Sequence, residues 1–359
     1  MAISRDGENK IKGIRPPSSS QGEGSLVSRR STGSVTLDDV AKLAGVSPIT
    51  VSRVLNHPDK VAPKTLERVR QAIARTGYVP NLLAGGLASR RSRLIAAIIP
   101  SISNSVYAET IQFFSDRLRD FGYQVLLGES GYDELREEKL ISAILSRRPD
   151  GVFLTGINHS ASCRKILLTA DIPVVETWDL TPTPLDVIVG FSHEQVGRAV
   201  ARFLYEKKYR KIGIVSAADQ RAAIREKGFV DELKALGIDV AISPVPVPTN
   251  FQLGRTGLAY LLDNGLSDGA VFFSSDTLAQ GGLEEARSRG IAVPGKLAIV
   301  GFGDQPYAAY THPSLSTVRF DRAAIGRQAA DVLLDRIEGR DLSKHVIDVG
   351  FSIIERETT

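Results

Sequence analysis

The chain contains one cysteine, one methionine, one tryptophan and five histidines in 359 residues. A lone Cys163 excludes an intrachain disulfide and any cysteine cluster at metal-ligand spacing. With the histidines scattered, local spacing shows neither a metal cluster nor a Cys–His nucleophile pair, so no metal and no cofactor is expected. No apolar run has the length or flanks of a secretory leader or a membrane span, and a cytoplasmic protein is the expectation.

Two fragments imitate catalytic motifs and fail on their own residues. GIAVPGK, residues 290–296, has P-loop spacing, but Leu297 stands where the metal-binding hydroxyl belongs and the segment enters a strand instead of leaving one. His193 and Glu194 begin an HExxH-like run, yet Gly197 removes the second zinc ligand, and His193 reads as a helix N-terminal residue. No enzyme is expected.

What is present is concentrated near the N-terminus, in VTLDDVAKLAGVSPITVSRVLN, residues 35–56. Thr36 lies three residues before Asp39, a capping-box spacing, and a helix then runs over Val40, Ala41 and Leu43. Gly45 tolerates the positive φ of a tight turn, and Ser47-Pro48 supplies an N-cap and a pre-set first position for a second helix over 48–55. Val46, Val51 and Val54 form its inner face, leaving Ile49, Thr50, Ser52, Arg53 and Asn56 outward for bases and phosphates. Pro63 opens a third helix, Leu66, Val69 and Ile73 repeat at helical spacing, and Gly77 closes it. Spacing alone leaves a plain helical hairpin open beside a DNA-reading helix-turn-helix. Charge favours the latter: residues 35–93 carry ten Lys and Arg against four Asp and Glu, whereas residues 94–359 are net acidic.

The head motif, followed by GYVPN and A..LAS, resembles the lac repressor family, and the likeness extends over residues 35–359. By position, the resemblance puts Thr36, Pro48, Ile49, Thr50, Ser52, Arg53, Asn56, Tyr78, Asn81 and Leu87 at DNA. Pro48 and Ile49 have no group that can hydrogen-bond a base edge, so it implies Arg53 on guanine with apolar contact from Ile49. PNLLAGGLAS, residues 80–89, matches the family's hinge helix, with Leu87 as the minor-groove wedge, although Gly85 and Gly86 are poor helix formers. Composition alone also allows a plain linker over residues 80–93. Residues 1–34, rich in Ser, Gly, Pro and Arg, are expected to be a disordered extension.

Beyond the hinge, short apolar runs alternate with helical stretches, the pattern of parallel sheets flanked by helices. Candidate strands are 94–99, 124–127, 151–154, 174–176, 211–215, 270–273 and 297–302, with a helix over 108–121. The expected fold class is α/β with an all-α head. The resemblance implies a two-lobed, periplasmic-binding-protein-like ligand domain, with 94–190 in the first lobe, 191–318 in the second, a helix over 321–339 returning to the first, and 345–354 finishing the second.

Such lobes hold a small molecule at their strand ends. The resemblance places Asn104, Tyr107, Glu176, Arg221, Arg225, Phe251 and Asp276 at or near the ligand, with Tyr107 and Phe251 as stacking surfaces. A guanidinium fork suits a carboxylate or phosphate. In VGFGDQP many sugar-binding relatives carry Asp where Gly303 stands; Asp304 is displaced by one and can partly reach back. Losing that carboxylate beside two arginines favours an anionic ligand. PSISNSVYAE, DIPVVETWD and LDVIVGF resemble the gluconate-repressor branch, which implies gluconate or a related aldonate or ketoaldonate, with a neutral or phosphorylated sugar as the alternative. The expected partners are palindromic operator DNA, the effector and a second copy of the chain, for which Ile111, Phe113, Phe114 and Leu118 offer apolar area. A non-regulatory binding protein and a sugar-processing enzyme are the competing classes.

Overall fold

The structure, a computed structural model, describes residues 35–79 and 91–359. The hinge positions Asn81, Gly85, Gly86 and Leu87 and the N-terminal extension lie outside the described residues. Contacts divide the chain after Asn81 into a small unit and a large one.

The small unit is three helices, α1 (Leu37–Ala44), α2 (Pro48–Asn56) and α3 (Pro63–Thr76), with a 3-10 turn at Pro58–Lys60. Each boundary has a local cause. The Thr36 hydroxyl accepts from the Asp39 amide at 3.3 Å while Asp39 accepts from the Thr36 amide at 2.9 Å, a reciprocal capping box. Gly45 and Gly77 end α1 and α3 at φ 63° and 66°, in the left-handed region that glycine enters without a Cβ penalty. The Ser47 hydroxyl caps α2 through the Thr50 amide. Val40, Ala41, Ala44, Val51, Val54, Val69 and Ala72 are buried between the helices. Leu43 is exposed, because the inward position on that turn belongs to Ala44.

The large unit contains two six-stranded sheets. The first runs β11-β5-β4-β3-β1-β2, from β1 (Leu94–Ile99), β2 (Gln124–Glu129), β3 (Gly151–Thr155), β4 (Val174–Thr177), β5 (Val187–Gly190) and β11 (Val346–Asp348). The second runs β12-β10-β9-β8-β6-β7, from β6 (Ile212–Ala217), β7 (Val240–Val245), β8 (Gly269–Phe273), β9 (Leu297–Phe302), β10 (Ser316–Arg319) and β12 (Ser352–Ile354). All paired strands are parallel except β12 against β10. Helices cover both sheets, so the central strands are apolar throughout: β1 reads LIAAII and β9 LAIVGF.

The helices are α4 (Ser105–Arg119), α5 (Glu134–Leu145), α6 (Ala161–Ala170), α7 (His193–Glu206), α8 (Gln220–Ala235), α9 (Phe251–Asp263), α10 (Asp276–Ser288) and α11 (Arg322–Ile337). The chain crosses after Gly190, and α11 returns to pack on α4 and the first sheet, as expected. One expectation needs correction. Residues 345–354 do not simply finish the second lobe: Val346–Asp348 pairs with β5 in the first sheet, and only Ser352–Ile354 joins the second. The first long helix starts at Ser105, three residues before the expected 108, where the Asn104 side chain caps it through the Val106 amide.

Candidate functional site

The head presents α2 outward. Ile49 is 71 % exposed, and Pro48 and Arg53 are exposed beside it. Among the described residues none hydrogen-bonds the Arg53 guanidinium, which leaves its planar donor fork free for an acceptor. Thr50 shares a 2.9 Å hydrogen bond with the Ser47 hydroxyl, and the Asn56 amide turns back onto the Ser52 carbonyl at 2.9 Å, so these two start as local caps. Thr36 is occupied in its capping box, and Tyr78 packs half-buried against the head core.

In the large unit, loops following the carboxyl ends of strands in both sheets meet around a cavity of about 160 Å³. Ser101 to Tyr107 follow β1, Trp178 follows β4, Ala217 ends β6 with Asp219 to Arg225 after it, Ser274 to Thr277 follow β8, and Phe302 ends β9 with Gln305 after it. A second cavity of about 230 Å³ adjoins it and shares Tyr132, Asp219, Arg221 and Val247.

The chemistry centres on α8. Asp219 caps it through the Ala222 amide, which fixes Arg221 and Arg225 one turn apart. Arg221 donates to the Tyr107 hydroxyl at 2.6 Å. Arg225, only 5 % exposed, donates to the Ser274 carbonyl at 3.0 Å and to His193 Nδ1 at 3.0 Å, and its guanidinium lies 3.9 Å from the Phe302 ring centre. Burial pulls the Arg225 pKa down to about 10, so it remains charged at neutral pH. Burial and then the Arg225 and Arg221 charges hold His193 far below the usual imidazole range. The ring is therefore neutral: Nε2–H donates to the Trp178 carbonyl at 2.7 Å and Nδ1 accepts from Arg225. Among the described residues neither arginine has a carboxylate within ion-pair distance, and the Arg225 Nε–H has no partner. Asp219 and, more weakly, Asp179 act on both charges beyond ion-pair distance; burial raises the Asp179 pKa.

Residues 36–81 match the bacterial regulatory proteins of the lacI family, and residues 201–359 match a periplasmic binding protein-like domain. The chain is 38 % identical over 333 residues to the HTH-type transcriptional regulator GntR of Pseudomonas aeruginosa, covering 92 % of this chain and 97 % of that relative. The chain belongs to the lacI family of transcriptional regulators. Its fold is that of a solved lacI-family regulator from Silicibacter pomeroyi, at a TM-score of 0.85 and 34 % identity over 90 % of this chain and 99 % of that one. It is also that of the lac repressor dimer bound to operator and the anti-inducer ONPF, at 0.78 and 24 % over 91 % and 99 %, a likeness of fold.

For this regulator the structure gathers Asn104, Tyr107, Arg221 and Arg225 at one cavity and leaves the other four expected ligand residues off its lining. Glu176 is fully buried on β4, accepting from the Leu185 amide at 2.6 Å. Phe251 is half-exposed at the first turn of α9. Asp276 is buried under the cavity floor, where it accepts from the Gln305 amide and the Thr317 hydroxyl, both at 2.6 Å, and burial raises its pKa to about 6. Asp304 does not reach back: its two oxygens take Arg319 at 2.5 Å and Arg356 at 2.7 Å. Gly303 has φ 126°, a conformation that an aspartate there would occupy only with strain. Sequence reasoning missed His193, Trp178, Asp219, Ser274 and Gln305. Only Trp178, the sole tryptophan, carried a local signal; His193 had been read as a helix start, which it is, but its buried bond to Arg225 joins residues 32 apart.

Proposed function

We propose that this regulator is a homodimeric repressor of sugar-acid utilisation genes, released from a palindromic operator when gluconate or a related aldonate or ketoaldonate binds between the lobes. The observation that carries the reading is the pair of buried guanidinium groups with no carboxylate in ion-pair distance, one with an unpartnered N–H. A buried charge with no carboxylate in direct contact is costly, and an anionic ligand supplies the contact that Asp219 and Asp179 do not make. Hydroxyls and amides at Ser103, Asn104, Ser274, Thr277 and Gln305 suit a polyol chain. The base-reading role falls to Arg53 and Ile49, with Asn81 and Leu87 at the hinge. The GntR name of the Pseudomonas relative and the operator-bound dimer of the lac repressor support the branch and the assembly. Of the proposed apolar interface on α4, Phe114 and Leu118 are core residues, so Ile111 and Phe113 are the members left for a partner.

The test is calorimetric titration of the full chain with gluconate, glucose and 6-phosphogluconate, followed by operator release on a DNA fragment selected from random sequence. Gluconate is expected to bind and release DNA, and glucose to do neither. Equal affinity for glucose would overturn the anionic reading, and preference for the phosphate ester would replace the effector with a phosphorylated sugar.

A further inference from the structure

Apart from the arginine clamp, the first lobe gathers a second group of chemically active side chains that local spacing does not reveal. Glu137 sits in the first turn of α5, Cys163 in the first turn of α6, and His159 in the loop between β3 and α6. One ligand atom from each, a carboxylate oxygen, an imidazole nitrogen and the thiol sulfur, lies within 4.8 Å of the others. Glu137 Oε2 and His159 Nδ1 are already 2.9 Å apart. The scaffold around them is tied down: Glu138 accepts from the Ser160 and Ser162 hydroxyls at 3.0 and 2.9 Å, and the Ser160 hydroxyl caps the Cys163 amide at 3.0 Å.

A further observation concerns the far side of the imidazole. His159 Nε2 faces Glu176 Oε1 at 3.6 Å, both atoms are buried, and neither has a hydrogen-bond partner. A histidine that binds a metal through one nitrogen characteristically gives its other N–H to a carboxylate, which sets the tautomer and strengthens the ligand. The structure holds that carboxylate in place: Glu176 is fully buried, and its other oxygen is anchored on the Leu185 amide. We propose that Glu137, His159 Nδ1 and Cys163 form a zinc site in the first lobe, with Glu176 as the carboxylate behind the histidine. A sulfur, nitrogen and oxygen donor set suits borderline-soft Zn²⁺ above Mg²⁺ or Ca²⁺. Three protein ligands leave a fourth position of a tetrahedral ion, and Glu137 lines the outer cavity that adjoins the arginine clamp. On binding, the Cys163 thiol loses its proton to solvent, and the neutral imidazole carries its one proton on Nε2, toward Glu176, which leaves Nδ1 for the metal.

The experiment uses the full chain, stripped with chelator and desalted, then titrated with ZnCl₂ or CoCl₂. One zinc per chain is expected to survive desalting. Cobalt is expected to give a thiolate-to-metal absorption band, which can come only from Cys163 because the chain has no other cysteine. Cys163→Ser, checked for native circular dichroism, should lose that band. Glu176→Gln should keep the band and bind zinc about 10- to 100-fold more weakly. Absence of the band in wild-type protein, or unchanged zinc affinity in both variants, would overturn the site and leave a Glu137–His159 hydrogen bond beside the buried Glu176. Because no sugar acid enters the measurement, its outcome is separate from that of the effector reading.

Discussion

Arg225→Ala tests the effector reading where the structure is most specific. The side chain holds two hydrogen bonds, lies over Phe302 and leaves its Nε–H without a partner. A hydrogen bond to a charged group contributes about 1.5–3 kcal/mol. Losing one such bond to a carboxylate should therefore cost about 1.5–3 kcal/mol of effector affinity, which is roughly 10- to 150-fold in Kd. The folded state should change less than that. His193 Nδ1 and the Ser274 carbonyl each lose a donor, at about 1–3 kcal/mol, but the cost of burying a guanidinium disappears with it. Arg225→Lys keeps the charge and loses the planar fork, so its affinity should fall between the two. Calorimetry with gluconate measures Kd directly, and Trp178 emission gives a second readout, because its carbonyl accepts from the histidine that holds Arg225. Operator affinity without effector should be unchanged. If Arg225→Ala binds gluconate within twofold of wild type while Arg221→Ala does the same, the clamp does not hold the carboxylate and the reasoning fails.

Arg53→Ala should weaken operator binding by about 1–3 kcal/mol and leave gluconate affinity intact; a gel shift with unchanged affinity would remove Arg53 from base readout. Gly197→Ala would place a Cβ 2.0 Å from the Arg225 carbonyl and 2.7 Å from the Phe229 amide, backbone that cannot step aside. The forced separation of α7 and α8 should cost about 1–3 kcal/mol or more in urea unfolding and should weaken gluconate binding too, and a neutral result on both would contradict the packing. Asp276 has a native pKa raised from 3.8 to about 6. The native state thus binds its proton more tightly than the unfolded chain, so this group's stability contribution is full below about pH 4 and is lost as pH rises through about 6, by up to about 3 kcal/mol. The stability difference between wild type and Asp276→Asn should shift toward the variant across that window in urea titrations, and a pH-independent difference would show that Asp276 titrates normally.

Residues with local causes were legible in the chain. Thr36, Gly45, Ser47, Pro48, Pro63 and Gly77 set helix ends through caps, a preset φ and left-handed turns, all within four residues, and each stands where its spacing placed it. The central strands were legible too, since a parallel strand covered on both faces must be continuously apolar. The strands not read are edges or short pieces. β7 carries Pro244, which only an edge strand tolerates, and β11 and β12 have three residues each. Family resemblance pointed to Arg221 and Arg225, but Glu176, Phe251, Asp276 and Asp304 were separated from them only by three-dimensional packing.

Order along the chain determined a three-helix basic head, an α/β body and a boundary between them, because capping, hydrophobic period and local charge act over a few residues. Tertiary structure alone decided which charges meet. Arg225 faces His193 across 32 residues, Asp304 is neutralised by Arg356 across 52, and Glu137 meets His159 across 22. Burial then sets what those meetings do, since removing water leaves His193 neutral and the clamp arginines charged with no carboxylate in contact, and neither burial nor partner is a property of any short stretch of sequence.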